Sequence, residues 1–133
     1  MVPVNYLAVV LATVAAMLVG WVWYGPLFGK RWRALTGDER PKAAVVYPVA
    51  FVANLVTAYV LAYVTSASSI ANGNGHLAPA LFSALFLWAG FSAARALIVT
   101  LFEAASVKLF LINTGHNLAV ALVMAFVIAT LGF

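Results

Sequence analysis

The sequence contains no cysteine, and only 8% of its 133 residues are charged. Without cysteine, disulfide bonds are excluded. The shortage of charge says more about the protein class, because 66% of the residues are hydrophobic and the mean hydropathy is +1.09. A chain with so little polar surface cannot cover a water-soluble globule. The composition therefore predicts a protein that lies in a membrane.

Four long apolar runs occupy most of the chain. They cover residues 4–24, 43–63, 80–102 and 109–131. Each run has roughly 20 residues, the length that a helix needs to cross a hydrocarbon core of about 30 Å. Strands of a membrane barrel are half as long and alternate in polarity, which these runs do not. We predict an all-α integral membrane protein in which residues 1–133 form one domain, a compact bundle of four transmembrane helices.

The sequence also lacks the motifs of common enzyme classes. It has no HExxH and no GxSxG, and no glycine-rich phosphate loop precedes a strand. One histidine and one glutamate near the membrane are too few ligands for a tetrahedral zinc site. We therefore expect no enzymatic activity, no metal and no cofactor.

The basic residues are distributed very unevenly. Lys108 lies between the third and fourth runs, and the other loop residues of this kind lie between the first and second runs: Lys30, Arg31, Arg33, Arg40 and Lys42. The remaining loop and the two ends of the chain have no lysine or arginine. The positive-inside rule predicts that both termini lie outside. The net charge of +4 favours anionic lipid as a partner, and nothing in it requires nucleic acid.

The loop after the first run has a helical pattern of its own. Phe28, Trp32 and Leu35 follow one another at spacings of four and three residues, while the basic residues point elsewhere. Such a segment is typical of a short amphipathic helix in the membrane interface. A solvated basic loop is the alternative.

Small residues recur every four positions in three of the runs, which favours close helix contacts in lipid. The rows are Ala8, Ala12, Ala16 and Gly20 in the first run, Ala50, Asn54, Ala58 and Ala62 in the second, and Asn113, Asn117, Ala121, Ala125 and Ala129 in the fourth. Three asparagines lie on these rows. They are expected to face neighbouring helices, because an unsatisfied amide is costly in lipid.

Arg95 is the one charged residue inside the third run. Side chains in a helix lean toward its N-terminus, which faces outward for this run, so the guanidinium is directed deeper into the membrane. Its five N–H donors then require acceptors. We predict a polar cluster in the cytoplasmic half of the bundle. Its members would be Arg95, His116, Asn117 and Asn54, with Glu103 and Asn113 at its cytoplasmic mouth.

Two classes of function fit such a cluster. It can hold helices together in a homo-oligomeric structural or interaction protein. Alternatively, Arg95 and His116 can serve a transporter or channel for a proton, an anion or a small molecule, because a buried arginine beside a titratable histidine is typical of a functional site. Binding of a lipid headgroup is a third interpretation. The one-sided charge favours parallel subunits, either two or three.

Several segments resemble a known family. They are VNYLAVVLATVAAMLVGWVWYGPLFGKRWRALTG, WAGFSAARALIVTLFE and KLFLINTGHNLAVALVMAFVIA, and the most specific residues are Asn5, Tyr6, Trp23, Tyr24, Gly25, Pro26, Leu27, Gly29, Lys30 and Trp32. The sequence is similar here to the bacterial membrane family called domain of unknown function 1761. The resemblance implies a small four-helix protein of the bacterial inner (cytoplasmic) membrane, with no assigned biochemistry.

The most specific of these segments has a physical interpretation. Trp23 and Tyr24 would anchor the first helix at the inner interface, and Gly25 and Pro26 would stop it. The segment with Lys30 and Trp32 would then enter the headgroup layer. A helix end that needs a stop and an anchor explains this motif more simply than a ligand site does.

Overall fold

The computed structural model describes residues 4–36, 43–72, 77–104 and 106–131, and over these residues the chain is helical and has no strand. Arg40 and Lys42 lie outside the described residues. The α-helices are α1 (Tyr6–Val22), α2 (Gly29–Thr36), α3 (Ala43–Asn72), α4 (Leu77–Leu87), α5 (Ala94–Phe102) and α6 (Val107–Leu131). Two π-helical segments, Trp23–Leu27 and Trp88–Ala93, follow α1 and α4.

Four helical stretches are long and apolar enough to cross a membrane, which confirms the predicted fold class. They are Tyr6–Leu27, Ala44–Ala67, Leu77–Phe102 and Val107–Leu131, called the first to fourth spans below. Helix α3 continues to Asn72, well beyond the expected end at residue 63. The extra residues include no glycine or proline, so nothing in their sequence stops the helix.

Helix α6 occupies the centre of the bundle, and its most extensive contacts are with α1 and α4. The interior is built largely from small side chains. Ala8, Ala12 and Ala16 of α1 are at most 1% exposed, which confirms that the small-residue row of the first span is a helix contact. Met124 and Ile128 of α6 are fully buried in the same core. Close backbone approach therefore holds the central helices together.

The first span widens at its end instead of stopping at Pro26. Proline has no N–H to donate to the carbonyl of Val22, and its ring would clash with that carbonyl in a regular α-helix. The chain adopts a π-helical turn, and the N–H of Phe28 donates to the carbonyl of Trp23 at 2.9 Å, five residues back. This turn leads directly into α2.

Helix α2 has the predicted amphipathic pattern. Phe28, just before it, and Trp32 and Leu35 within it are half-buried against the bundle. The basic residues of this helix are exposed, namely Lys30, Arg31 and Arg33. Arg31 lies on the same side as Phe28 and Leu35, because the three line one cleft. The helix interpretation of this loop is confirmed over Gly29–Thr36.

The third span has two halves of different character. Its first half, α4, buries Pro79, Ala80 and Ala84, whereas α5 has no buried residue. The π-helical segment between them adds residues to a turn and so changes which face of the following helix meets the bundle. Arg95 follows this segment, and its side chain is exposed.

Asn5 links the beginning of the first span to the end of the fourth span. Its side-chain oxygen caps α1 by accepting from the N–H of Ala8 at 3.2 Å. Its amide nitrogen donates to the carbonyl of Leu131, at the end of α6, at 3.3 Å. One asparagine thus caps the first helix and links it to the last.

Candidate functional site

The residues after α1 dock onto the first turns of α6. The indole N–H of Trp23 donates to the carbonyl of Ile112 at 3.0 Å, and the hydroxyl of Tyr24 donates to Oδ1 of Asn113 at 2.7 Å. Buried indoles and phenols usually find such partners, because an unpaired N–H or O–H is costly in an apolar environment. The predicted anchor residues thus bind the fourth span directly.

A second indole reaches α6 from the third span. The N–H of Trp88 donates to the carbonyl of Thr114 at 2.8 Å. Residues 112 and 114 are roughly 200° apart around a helix, so Trp23 and Trp88 bind nearly opposite sides of α6. Two tryptophans from different spans therefore fix the position of this helix around Asn113 and His116.

His116 lies against the aromatic rings at the end of the first span. Its ring centroid is 4.9 Å from that of Tyr24 and 6.3 Å from that of Trp23. Gly20 leaves room for it, since a Cβ at that position would lie 3.3 Å from Nε2 of His116. The half-buried imidazole is thus held between α1 and α6.

Gly115 allows the same close approach on the other side of the contact. A Cβ at this position would lie 3.1 Å from Cζ2 of Trp23, tighter than ordinary van der Waals contact. The indole that packs on this glycine of the TGHN sequence therefore explains it.

A cleft opens on the side of the bundle between the second, third and fourth spans. Its volume is about 520 Å³, and its walls are mostly apolar. The polar groups that line it include Asn54, Ser92, His116 and Asn117. Asn54 also donates from its amide to the sulfur of Met17 at 3.3 Å, a weak acceptor. This lateral cleft contains three of the predicted cluster residues.

Arg95 and Glu103 are not part of this arrangement within one chain. Both side chains are exposed, and neither makes a hydrogen bond or an ion pair with the residues that the structure describes. Arg95 follows Phe91 and Ser92, which line the cleft, by four and three residues, so it lies about one turn further along the span. That acceptors surround Arg95 stays a prediction for the assembled protein.

The rest of the anchor motif supports the aromatic contact. Trp32 packs edge-on against Tyr24, with ring centroids 5.2 Å apart, and Phe28 lies 4.8 Å from Trp23. Gly25, Pro26 and Lys30 are exposed. The aromatic side chains of the motif are therefore packed together, and the turn between them is exposed.

Among the contributors to this site that were not predicted from the sequence are Trp88, Met17 and Ser92. A tryptophan within a transmembrane run has an N–H that lipid cannot satisfy, so Trp88 carried a usable signal. Met17 carried none, because methionine is common in apolar helices. Among the described residues, no three His, Asp or Glu side chains come close enough to hold a metal ion.

The chain was also compared with known proteins. No curated protein and no solved structure matches it. One protein family does match, described as "Protein of unknown function (DUF1761)", and the match runs over residues 7–129. It includes the π-helical turn after α1, Trp88, Arg95 and the INTGHN segment of α6. Since nearly the whole chain is matched, the protein belongs to this family.

Proposed function

We propose that the protein is a non-catalytic membrane protein that forms a homo-oligomer of parallel subunits, and that the contact between subunits satisfies Arg95. The observation behind the proposal is the exposure of this guanidinium in the third span, with no partner among the described residues of its own chain. A charge on the lipid-facing surface of a helix is costly, and such residues normally face protein or water. Contact with a second chain would bury Arg95 against protein and so remove that cost.

A second copy in the same orientation is a suitable partner. In parallel subunits, equivalent residues lie at the same depth in the membrane. Arg95 of one copy can therefore reach residues of the other copy that lie at a similar depth. His116 and Asn117 lie at that depth by sequence, and both line the lateral cleft. Asn117 is exposed, and an amide oxygen can accept from a guanidinium.

The exposed surface around Arg95 also favours a contact there. Phe91, one turn earlier, is 76% exposed, and α5 buries no residue within the chain. In the proposed orientation both termini lie outside, and Arg31 and Lys108 lie at the cytoplasmic end. The protein would lie in the inner (cytoplasmic) membrane.

Cross-linking tests this contact directly. The chain has no cysteine, so a single introduced cysteine reports on its own position. We expect Phe91→Cys to form disulfide-linked dimers in membranes under a lipid-permeable oxidant. Val14→Cys, on the exposed side of α1, is the matched control and should stay monomeric.

Arg95→Gln in the Phe91→Cys background should strongly reduce this cross-linking, whereas Lys30→Gln should not. Equal cross-linking at positions 14 and 91, or cross-linking that is indifferent to Arg95, would contradict the proposal.

A second candidate function is a pathway for a proton or small anion. The observation in its favour is the lateral cleft, which places a titratable imidazole, His116, beside the amides of Asn54 and Asn117. Neutral and protonated histidine interconvert near physiological pH. An oligomer that covers this cleft would turn it into an enclosed cavity with these polar groups on its wall.

Flux measurements distinguish the two candidates. Purified protein in liposomes is assayed for proton and chloride flux at pH 5.5 to 7.5. A transporter predicts a pH-dependent flux that His116→Ala abolishes while Phe91→Cys cross-linking persists. A structural oligomer predicts the cross-link in both proteins and no flux above that of empty liposomes.

A further inference from the structure

A second cleft lies at the charged end of the bundle, between α2 and the beginning of α6. Its volume is about 470 Å³. Two cations from distant parts of the chain, Arg31 and Lys108, line it together. The other walls are apolar and are formed chiefly by Trp23, Phe28, Leu35 and Leu111. The cleft thus combines positive charge with a hydrophobic floor.

The two cations are available to a ligand. Both side chains are exposed, and neither has a hydrogen-bond or ion-pair partner in the part of the chain that the structure describes. Arg33, on the same helix, differs because its Nε donates to the carbonyl of Gly29 at 3.1 Å. Two like charges in one apolar cleft raise the local positive potential and attract an anion.

The depth of the cleft indicates the kind of anion. The first span ends at Leu27 and the fourth begins at Val107, so the cleft lies where two spans leave the membrane. Tryptophan and basic residues prefer this boundary, where lipid headgroups are found. Leu111, which is 61% exposed, continues the apolar wall along the fourth span.

We propose that this cleft binds one anionic phospholipid. The phosphate would lie between Arg31 and Lys108, and the upper part of an acyl chain would pack on Phe28, Leu35 and Leu111. The occupant is a lipid, because one end of the cleft is cationic and the other is apolar, and because the headgroup layer presents such molecules at this depth. The site is separate from Arg95 and does not depend on the oligomer.

Native mass spectrometry tests the proposal on the full chain in detergent. The probes are phosphatidylglycerol and phosphatidylcholine with identical acyl chains, offered at equal concentration. We expect one phosphatidylglycerol to be retained per chain in preference to phosphatidylcholine. In the double variant Arg31→Gln, Lys108→Gln, phosphatidylglycerol binding should weaken roughly 30-fold, or about fivefold for each cation.

The matched control is the double variant Lys30→Gln, Arg33→Gln. It removes the same net charge from the same end of the bundle, but neither residue lines the cleft. Its phosphatidylglycerol affinity should stay within about twofold of the original, because salt screens exposed charges that do not touch the phosphate. Equal losses in both double variants would overturn the proposal, since they would show attraction to net charge alone.

A third arm separates a lipid from a free phosphate. Inorganic phosphate in large excess should leave the bound phosphatidylglycerol in place, because it cannot use the apolar wall. Leu111→Gln should weaken retention of the lipid while both cations remain. Displacement by phosphate, together with no effect of Leu111→Gln, would show that the cleft recognises an anion and not a phospholipid.

Discussion

Residues 112 to 114, near the beginning of α6, receive hydrogen bonds from three aromatic side chains. Trp23 and Trp88 donate to backbone carbonyls, and Tyr24 donates to Asn113. The sequence indicated that Asn113 and His116 would face protein, because polar groups are costly in lipid. It could not indicate which donors they meet, since that depends on how the first and third spans rotate against α6.

The contact between Tyr24 and Asn113 leads to a stability prediction. Tyr24→Phe removes the hydroxyl and leaves Oδ1 of Asn113 without this donor, and hydrogen bonds between membrane helices contribute about 0.6 to 2 kcal/mol. We expect the free energy of unfolding to fall by about 1 kcal/mol, measured by steric trapping in bicelles.

Tyr47→Phe is the control for this measurement, because Tyr47 is exposed and its hydroxyl makes no hydrogen bond to the residues that the structure describes. Its free energy of unfolding should be unchanged. Equal stability of the Tyr24 variant and this control would show that the hydroxyl of Tyr24 contributes nothing to stability.

At the scale of helices, apolar length predicted the four spans well, and amphipathic spacing predicted α2. The two π-helical segments were not predicted. Pro26 indicated an interruption of the first span. Its missing N–H is compatible either with the end of the helix or with a widened turn, so the sequence does not distinguish the two. For Trp88–Ala93 the sequence offers only Gly90, a weak signal. In each segment a tryptophan donates to a carbonyl of α6, a contact that hydrophobic periodicity does not record.

The contact between α1 and α6 depends on Gly115. Gly115→Ala would place a Cβ about 3.1 Å from the indole of Trp23 and force the ring away from its carbonyl partner. Such overpacking costs about 1 to 3 kcal/mol. We expect a lower unfolding free energy in the same assay, and a changed tryptophan emission spectrum.

Gly90→Ala is the matched change in another span, because nothing lies within 4 Å of the added Cβ. It should be neutral or slightly stabilising, since alanine favours helix over glycine. A Gly115 variant as stable as the Gly90 variant would mean that the indole can move aside at no cost.

At the scale of the whole molecule, the number of spans follows from the sequence, but the arrangement of polar residues does not. Asn54, His116 and Asn117 line one cleft, as the small-residue rows and depths suggested. Arg95 lies outside it, because α5 begins after a π-helical segment and packs little against the bundle. The rotation of α5 relative to α4 decides which surface carries the charge, and no periodicity in the sequence reports that rotation.

The pairing of α1 with α6 constrains how the protein is made. The chain leaves the ribosome from its N-terminus, so α1 enters the bilayer while the helix that covers its alanine face has not yet been synthesised. Until α6 follows, the first three spans lack their central packing partner, and Asn5 lacks the carbonyl of Leu131. Insertion of the first three spans must therefore precede the assembly of the bundle, and the fourth span completes the core.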